Sequence, residues 1–391
     1  MRRREFLTAA ALAGAMTAGP WVQAQPAKKY KACIIGDTND GGYGHSMNLA
    51  FALREDVAVV GLADPDEAGR TKMAAECGAE RTYSDYREML EKEKPDLVAV
   101  GPRTPGRHKE YLLACAAAGA HGFMEKPISV DVAEADEMIA AIDAKKLKWA
   151  IAFNMRVIPP MEHLRKALHQ DRIIGSLLEA RGRGKEDGRA GGEDLIVLGT
   201  HILDLMRYFL GNPEWCFADF TTNGKASTPA DIKEASEPLG PIVGNRMHAV
   251  YGFPVGVGGH FSSMASKDGG GGRWGLDLYG TQGIVSIRTE AEPVIKYTKD
   301  PRWSAGISGA AWEPVPGMPE FKITDQATER HKYIVADLIA AIEADRPPVS
   351  SLADGRASLE MIQAAFESQV SGAKAAIPLV KRDHPLKRWK A

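Results

Sequence analysis

From Tyr30 onward the chain alternates short apolar runs with helical patterns. YKACIIG, VAVVGLAD, DLVAVG and GAHGFMEKP are separated by segments near residues 66–77, 84–91 and 107–118 that read as helices. A strand followed each time by a helix returns on the same side of its sheet, so the strands run parallel and both faces are covered. This predicts an α/β, doubly wound sheet whose ligand lies across the carboxyl ends of the strands.

The first such end carries GDTNDGGYGHS, followed by NLAFAL, which has helical character. Strand, glycine-rich turn and helix is the geometry that presents backbone N–H groups to a pyrophosphate. Gly36, Gly41, Gly42 and Gly44 allow sharp turning and close approach of a ligand. The spacing is longer than G-x-G-x-x-G, as though three residues were inserted after Gly36. VAVVGLAD ends at Asp64, twenty residues after Gly44, near the usual separation for a carboxylate that binds the adenosine ribose and repels a 2′-phosphate. NAD is therefore expected over NADP, with Arg70 offsetting part of the repulsion; a turn-forming Asp before Pro65 is the plain alternative. GPRTPGRH at residues 101–108 either brings Thr104, Pro105 and His108 beside the cofactor or forms an ordinary Pro/Gly turn and helix start.

Residues 191–205, GGEDLIVLGTHILDL, form a second focus. Leu195, Leu198, Ile202, Leu205 and Met206 recur at helical steps and make an apolar stripe. Asp194 suits the helix start and Gly211 its stop. His201 is then either a catalytic imidazole or decoration on a core helix.

With 391 residues the chain has room for two domains. A net charge of −2 from 49 basic and 51 acidic side chains leaves no footprint for nucleic acid. No run after the N-terminus approaches a membrane span. Cys33, Cys77, Cys115 and Cys216 are scattered, which predicts neither a disulfide framework nor a metal site. At the N-terminus, Arg2-Arg3-Arg4, then Phe6-Leu7, then a mildly apolar stretch and Val22-Gln23-Ala24 resemble a twin-arginine (Tat) signal cleaved after Ala24. This implies export to the periplasm by the Tat machinery and a cofactor bound before export.

Glu125-Lys126-Pro127, placed after an apolar run and before a helix near Asp131, resembles the Gfo/Idh/MocA oxidoreductases. The resemblance runs through residues 29–380, including TYSDYREML, GGEDLIVLGTHILDL and ADLIAAIEADRPPVSSLADGRASLEMIQAAFES. It implies a signal and linker over 1–26, a Rossmann domain over 27–150, and an α/β domain over 151–385. The latter's large, mainly antiparallel open sheet would cover the nicotinamide and mediate homo-oligomerisation. Carried over residue by residue, Glu125 and Lys126 lie by the cofactor, with Lys126 near the substrate hydroxyl, and the Lys126–Pro127 bond is expected to be cis. His201 becomes the acid/base. The D-x-G-x-H aspartate is replaced by Val197, so Asp194, on the same helical face as His201, is assigned to act on substrate, with Glu193 as substitute. Asp204, three residues after His201, either orients the ring or ties the helix to neighbouring structure. Asn154 and Arg156 match family positions that face substrate. Arg183, in the polar run EARGRGKEDGR, is either a further substrate ligand or part of a solvated edge, and SKDGGGGRW at 266–274 either closes over substrate or forms a long hairpin connection.

The expected activity is hydride transfer between a sugar or polyol carbinol and a tightly bound nicotinamide cofactor. The alternatives are an NAD-dependent glycosidase acting by transient oxidation and elimination, and a sugar- or nucleotide-binding protein without catalysis.

Overall fold

The computed structural model describes residues 30–265 and 273–390. The proposed export signal, and most of the 266–274 loop, lie outside the described residues.

Six parallel strands form the first sheet: β1 (Tyr30–Ile35), β2 (Val57–Ala63), β3 (Arg81–Tyr83), β4 (Leu97–Val100), β5 (His121–Met124) and β6 (Trp149–Ile151). Their order is β3-β2-β1-β4-β5-β6, which places the reversal of winding between β1 and β4. Central strands such as β4 are buried along their whole length, as a sheet covered on both faces requires. Helices α1 (Glu67–Cys77), α2 (Tyr86–Glu93), α3 (Pro105–Ala118) and α4 (Val132–Ala144) make the crossovers. Asp66 and Asp131 cap α1 and α4 by accepting from Gly69 and Glu134 N–H.

One crossover departs from expectation. NLAFAL forms only a 3-10 turn, Met47–Leu49, followed by turns rather than an α-helix. Ser46 before it adopts a left-handed conformation, and the residues inserted after Gly36 fold back as a turn closed by an Asp37–Gly42 bridge.

The second half opens with α5 (Pro159–His169) and β7 (Leu177–Arg183). A helical turn, α6 (Gly192–Asp194), continues through a π turn, Leu195–Gly199, into α7 (Thr200–Leu210). A ten-stranded sheet combines β7 with β8 (Trp215–Thr222), β9 (Lys225–Ala226), β10 (Arg246–Gly252), β11 (Gly258–Met264), β12 (Gly275–Gly280), β13 (Gly283–Arg288), β14 (Val294–Thr298), β15 (Glu313–Pro314) and β16 (Ala375–Ala376). Every pairing in it is antiparallel except β7 with β11. Burial alternates along β8 and β10: Ala218, Phe220, Met247, Ala249 and Tyr251 face inward, whereas Phe217 and His248 face outward. That period of two marks a sheet packed on one side only.

Two C-terminal helices join the halves. α8 (Lys332–Glu343) places Ile334, Val335, Leu338 and Ile339 in one core with Ile34, Phe123 and Ala150 of the first sheet. α9 (Leu352–Ser371), started by a Ser351–Asp354 capping box, contributes Leu352 and Leu359 to the core on the other face. Farther along, its Met361, Ile362 and Phe366 enter the core of the second sheet.

Candidate active site

The carboxyl ends of β5 and β6, the π turn, Trp274 before β12, the turn after β13 and the start of α8 enclose a cleft of about 370 Å³. Its wall brings together Glu125, Lys126, Asn154 and His201, four residues selected from the sequence, with Trp274 at the end of the 266–274 loop and with His45 and His331, which were not selected.

Lys126 lies two residues beyond the end of β5, and its bond to Pro127 is cis. Its Nζ donates to the Val197 carbonyl at 3.0 Å. The position where the resemblance calls for an aspartate thus meets the lysine through its main chain, while the valine side chain stays in the core. Burial lowers the Lys126 pKa and adjacent Glu125 partly restores it. His201 stands edge-on to the rings of Phe153 and Trp274, at centroid distances of 5.7 and 6.0 Å. Burial, then the Lys126 charge, push its pKa well below the ordinary imidazole value. His201 is therefore neutral at pH 7.

Glu125 is fully buried. Its Oε1 accepts from the backbone N–H of His45 at 3.0 Å and from His45 Nδ1 at 2.6 Å, and its Oε2 accepts from Lys126 N–H at 3.0 Å. Burial works to raise its pKa, but His45, Lys126 and His331 outweigh it and hold the carboxyl below the usual range. Gly44, at φ +54°, makes this approach feasible, since a Cβ there would stand 2.5 Å from Glu125 Cγ. Three residues of the wall keep a buried polar atom unpartnered among the described residues: Asn154 Oδ1, Trp274 Nε1 and His331 Nδ1. Such atoms are costly unless a ligand or water completes them.

Several expected site residues are not in this cleft. Asp194 is 0 % exposed, and its carboxylate accepts from Ser263 Oγ at 2.6 Å and from the N–H groups of Lys185 and Glu186. The assignment to substrate is corrected, and the π turn supplies the reason. Five residues at wider winding retard the helix by roughly a quarter turn, which takes Asp194 off the face of His201. Glu193 accepts from the Ser236 N–H and hydroxyl. Arg156, 7 % exposed, is consumed by a buried pair with Asp204 at 2.7 Å and by Asp354 at 3.1 Å, so it is a brace rather than a substrate ligand. Asp204 correspondingly ties its helix to Arg156, the second of its two expected roles, and does not orient His201. Arg183 points from β7 to the open side of the second sheet, beside Ser262 and Glu186.

The nucleotide residues are also rearranged. Asp64 is 0 % exposed and accepts from the Thr38 hydroxyl at 2.7 Å, the Thr38 N–H, and the Asp66 N–H at 2.9 Å. The folded-back insertion thus places Thr38 where a ribose hydroxyl was expected, and the discrimination against NADP that a free carboxylate would impose loses its basis. Arg70 donates to the Asp64 carbonyl. Tyr43 covers Gly36, with ring atoms 2.2 Å from where a Cβ would sit. Thr104 gives its hydroxyl to Asp40, and Pro105 opens α3 outside the cleft. His108 is fully buried with both ring nitrogens against the carbonyls of Pro102, Pro127 and Ile128; it ties two loops together and is withdrawn from the cofactor set.

A nicotinamide dinucleotide nonetheless fits the remaining features. The N–H groups of Gly41, Tyr43 and Gly44 have no hydrogen-bond partner among the described residues, leaving three donors for phosphate oxygens at the end of β1. The cleft beyond them holds Lys126 and His201. Among the described residues no cluster suits a metal ion, all four cysteines are free, and no helix is long and apolar enough to cross a membrane.

A parallel sheet with a glycine loop at its switch point, facing a cleft closed by a one-sided antiparallel sheet, is the architecture of a two-domain nicotinamide-dependent oxidoreductase. Comparison with known families is specific. Residues 31–153 match the NAD-binding Rossmann fold of the Gfo/Idh/MocA oxidoreductase family, and residues 179–377 match its C-terminal alpha/beta domain. The chain belongs to that family. It is 26% identical over 257 residues to a levoglucosan dehydrogenase of Pseudarthrobacter phenanthrenivorans, covering 59% of this chain and 65% of that protein. It is 27% identical over 226 residues to a myo-inositol 2-dehydrogenase of Thermotoga maritima, covering 54% and 66%. The alignments thus span just under two thirds of these relatives' lengths. Among solved structures, a Kribbella flavida oxidoreductase domain protein superposes with TM-score 0.71 at 23% identity, over 90% of this chain and 100% of that one. A levoglucosan dehydrogenase in complex with NADH and L-sorbose gives 0.72 at 22%, with the same coverage.

Proposed function

We propose that this chain oxidises or reduces a carbinol of a sugar or polyol with a nicotinamide dinucleotide. The observation that carries this reading is the convergence of buried Lys126 with neutral imidazole in one cleft at the carboxyl edge of the Rossmann sheet. The names of the relatives agree with it: levoglucosan, myo-inositol and D-apiose are all polyhydroxylated.

When bound, the cofactor supplies a hydride acceptor or donor at its nicotinamide ring. The backbone N–H groups of Gly41, Tyr43 and Gly44 would hold its phosphates. Lys126 stabilises the alkoxide character that grows on the reacting oxygen. Its tie to the Val197 carbonyl sets its position without neutralising its charge, which suits that task. Asn154 Oδ1 and Trp274 Nε1 offer one acceptor and one donor to substrate hydroxyls. Neutral imidazole in the cleft takes the hydroxyl proton.

Export, tight retention of the cofactor and homo-oligomerisation belong to the same proposal. The first two are supported by the arginine-led N-terminal sequence, and the last by the open outer face of the second sheet.

The test is to purify the protein without added nucleotide, denature it, identify any released nicotinamide dinucleotide by mass spectrometry, and assay a panel of polyols by reduction of the cofactor. Lys126→Met is expected to lower kcat about 100–1000-fold with the cofactor still bound. Turnover unchanged in that variant would overturn the role given to Lys126, and a protein that neither retains nor binds a nicotinamide dinucleotide would overturn the reading as a whole.

A further inference from the structure

We propose that His45, oriented by Glu125, is the group that takes and returns the substrate's hydroxyl proton, with His201 as a neutral hydrogen-bond partner to the same oxygen. This deepens the oxidoreductase reading above and rests on it.

Every polar group of His45 except one is anchored. Its backbone N–H donates to Glu125 Oε1 at 3.0 Å, and its backbone carbonyl accepts from His331 Nε2 at 2.7 Å. Its Nδ1 lies 2.6 Å from the same Glu125 oxygen. Glu125 is 0 % exposed and ionised, and an ionised carboxylate only accepts hydrogen bonds, so Nδ1 carries the proton. That fixes the tautomer and leaves Nε2 with a free lone pair. Nε2 has no partner among the described residues, and the side chain, 36 % exposed, lines the cleft.

A carboxylate behind one ring nitrogen and a reaction space before the other is the arrangement that makes imidazole an effective general base, because the carboxylate stabilises the imidazolium as it forms. His201 lacks it. Its contacts are with the rings of Phe153 and Trp274, no hydrogen bond among the described residues sets its tautomer, and Lys126 opposes its protonation. The charged and titratable groups that share the cleft with His45 include Glu125 and Lys126 after β5, Lys185 after β7, His201 on α7, Glu290 after β13, and Glu329, Arg330 and His331 before α8. Glu125 is the one that touches its ring.

In the oxidative direction the carbinol O–H bond breaks with its proton passing to His45 Nε2. The adjacent C–H bond breaks with hydride leaving to the nicotinamide oxidant, and C=O forms. The proton then reaches solvent at the cleft mouth, and reduction runs the same changes backward.

Two measurements test the assignment. In the protein as isolated, imidazole 15N–1H correlation NMR should show His45 as the Nδ1–H tautomer, and Glu125→Gln should remove that preference. In polyol oxidation, His45→Gln should lower kcat about 100–1000-fold and abolish the acidic limb of its pH profile, with cofactor affinity unchanged. His201→Asn should raise KM and keep the limb. An Nε2–H tautomer in the wild type, or a His45→Gln enzyme that retains both limb and rate, overturns the assignment alone. A wild-type chain that oxidises no polyol overturns the oxidoreductase reading and this one together.

Discussion

Arg156 offers the sharpest separation between a ligand and a brace. It was expected to hold substrate, but its guanidinium meets Asp204 at 2.7 and 2.9 Å and Asp354 at 3.1 Å, while Arg207 approaches the same two carboxylates at 3.5 and 3.3 Å. Two arginines and two aspartates thus form a neutral, nearly dry cluster. Replacing Arg156 by Met leaves Asp204 with only the longer contact to Arg207. Breaking a buried pair on one side costs about 3–5 kcal/mol. Arg207 retains part of the compensation, so the lower end applies: about 3 kcal/mol, or roughly a 150-fold fall in the folding equilibrium constant. Urea unfolding followed by tryptophan fluorescence should show this loss. The double variant R156M/D204L, which removes both charges, should recover most of it by leaving the Arg207–Asp354 pair balanced. The reasoning is refuted if R156M keeps wild-type stability within 0.5 kcal/mol, roughly the scatter expected of neutral surface changes, and instead raises the KM for polyol.

Two further outcomes follow from the site and its surroundings. His331 and His384 are buried, and burial pulls each from the ordinary 6.5 to about 4. Between those values the unfolded chain binds more protons than the folded one, so stability is present at neutral pH and is lost as pH falls; each histidine should contribute a loss of about 2 kcal/mol at pH 5. His384→Gln should flatten that slope in urea titrations at pH 7 and 5, and an unaltered slope would contradict it. Thr38→Gly removes the hydroxyl from Asp64 and the bulk between Asp64 and Gly69. ADP-ribose should then bind about tenfold more tightly by calorimetry, since a charge-assisted hydrogen bond worth about 1.5–3 kcal/mol no longer competes; equal affinity would mean that Thr38 does not occupy the ribose position.

What was legible in the sequence and what was not divide along physical lines. The parallel sheet could be read because its strands are short apolar runs and its helices carry their own caps, such as Asp66 and Asp131, which act over three residues. Lys126, Asn154 and His201 were found through motif context and do meet in one cleft. The failures involve changes of phase or long-range partners. Asp194 was placed by an unbroken 3.6-residue period, and the π turn breaks it. Asp64 was read as free because nothing in its neighbourhood announces that Thr38, across an inserted turn, will reach it. His45 was passed over although it adjoins Gly44, because its meaning comes from Glu125 and His331, 80 and 286 residues away. Only tertiary packing creates such pairs.

The placement of α8 has a consequence for how this protein is made. All six strands of the first sheet are present once Ile151 has been synthesised, yet the apolar side chains of α8 that share a core with Ile34, Phe123 and Ala150 come only after residue 331. At ribosomal speeds of about 5–20 residues per second, that interval is on the order of 10–40 s. During it, the part of that sheet face that α8 covers stays exposed, while Met47, Ala50, Phe51 and Ala74 already cover the rest. A chain that ends before α8 leaves that part of the Rossmann sheet without the apolar surface of Ile334, Val335, Leu338 and Ile339 that covers it in the whole protein.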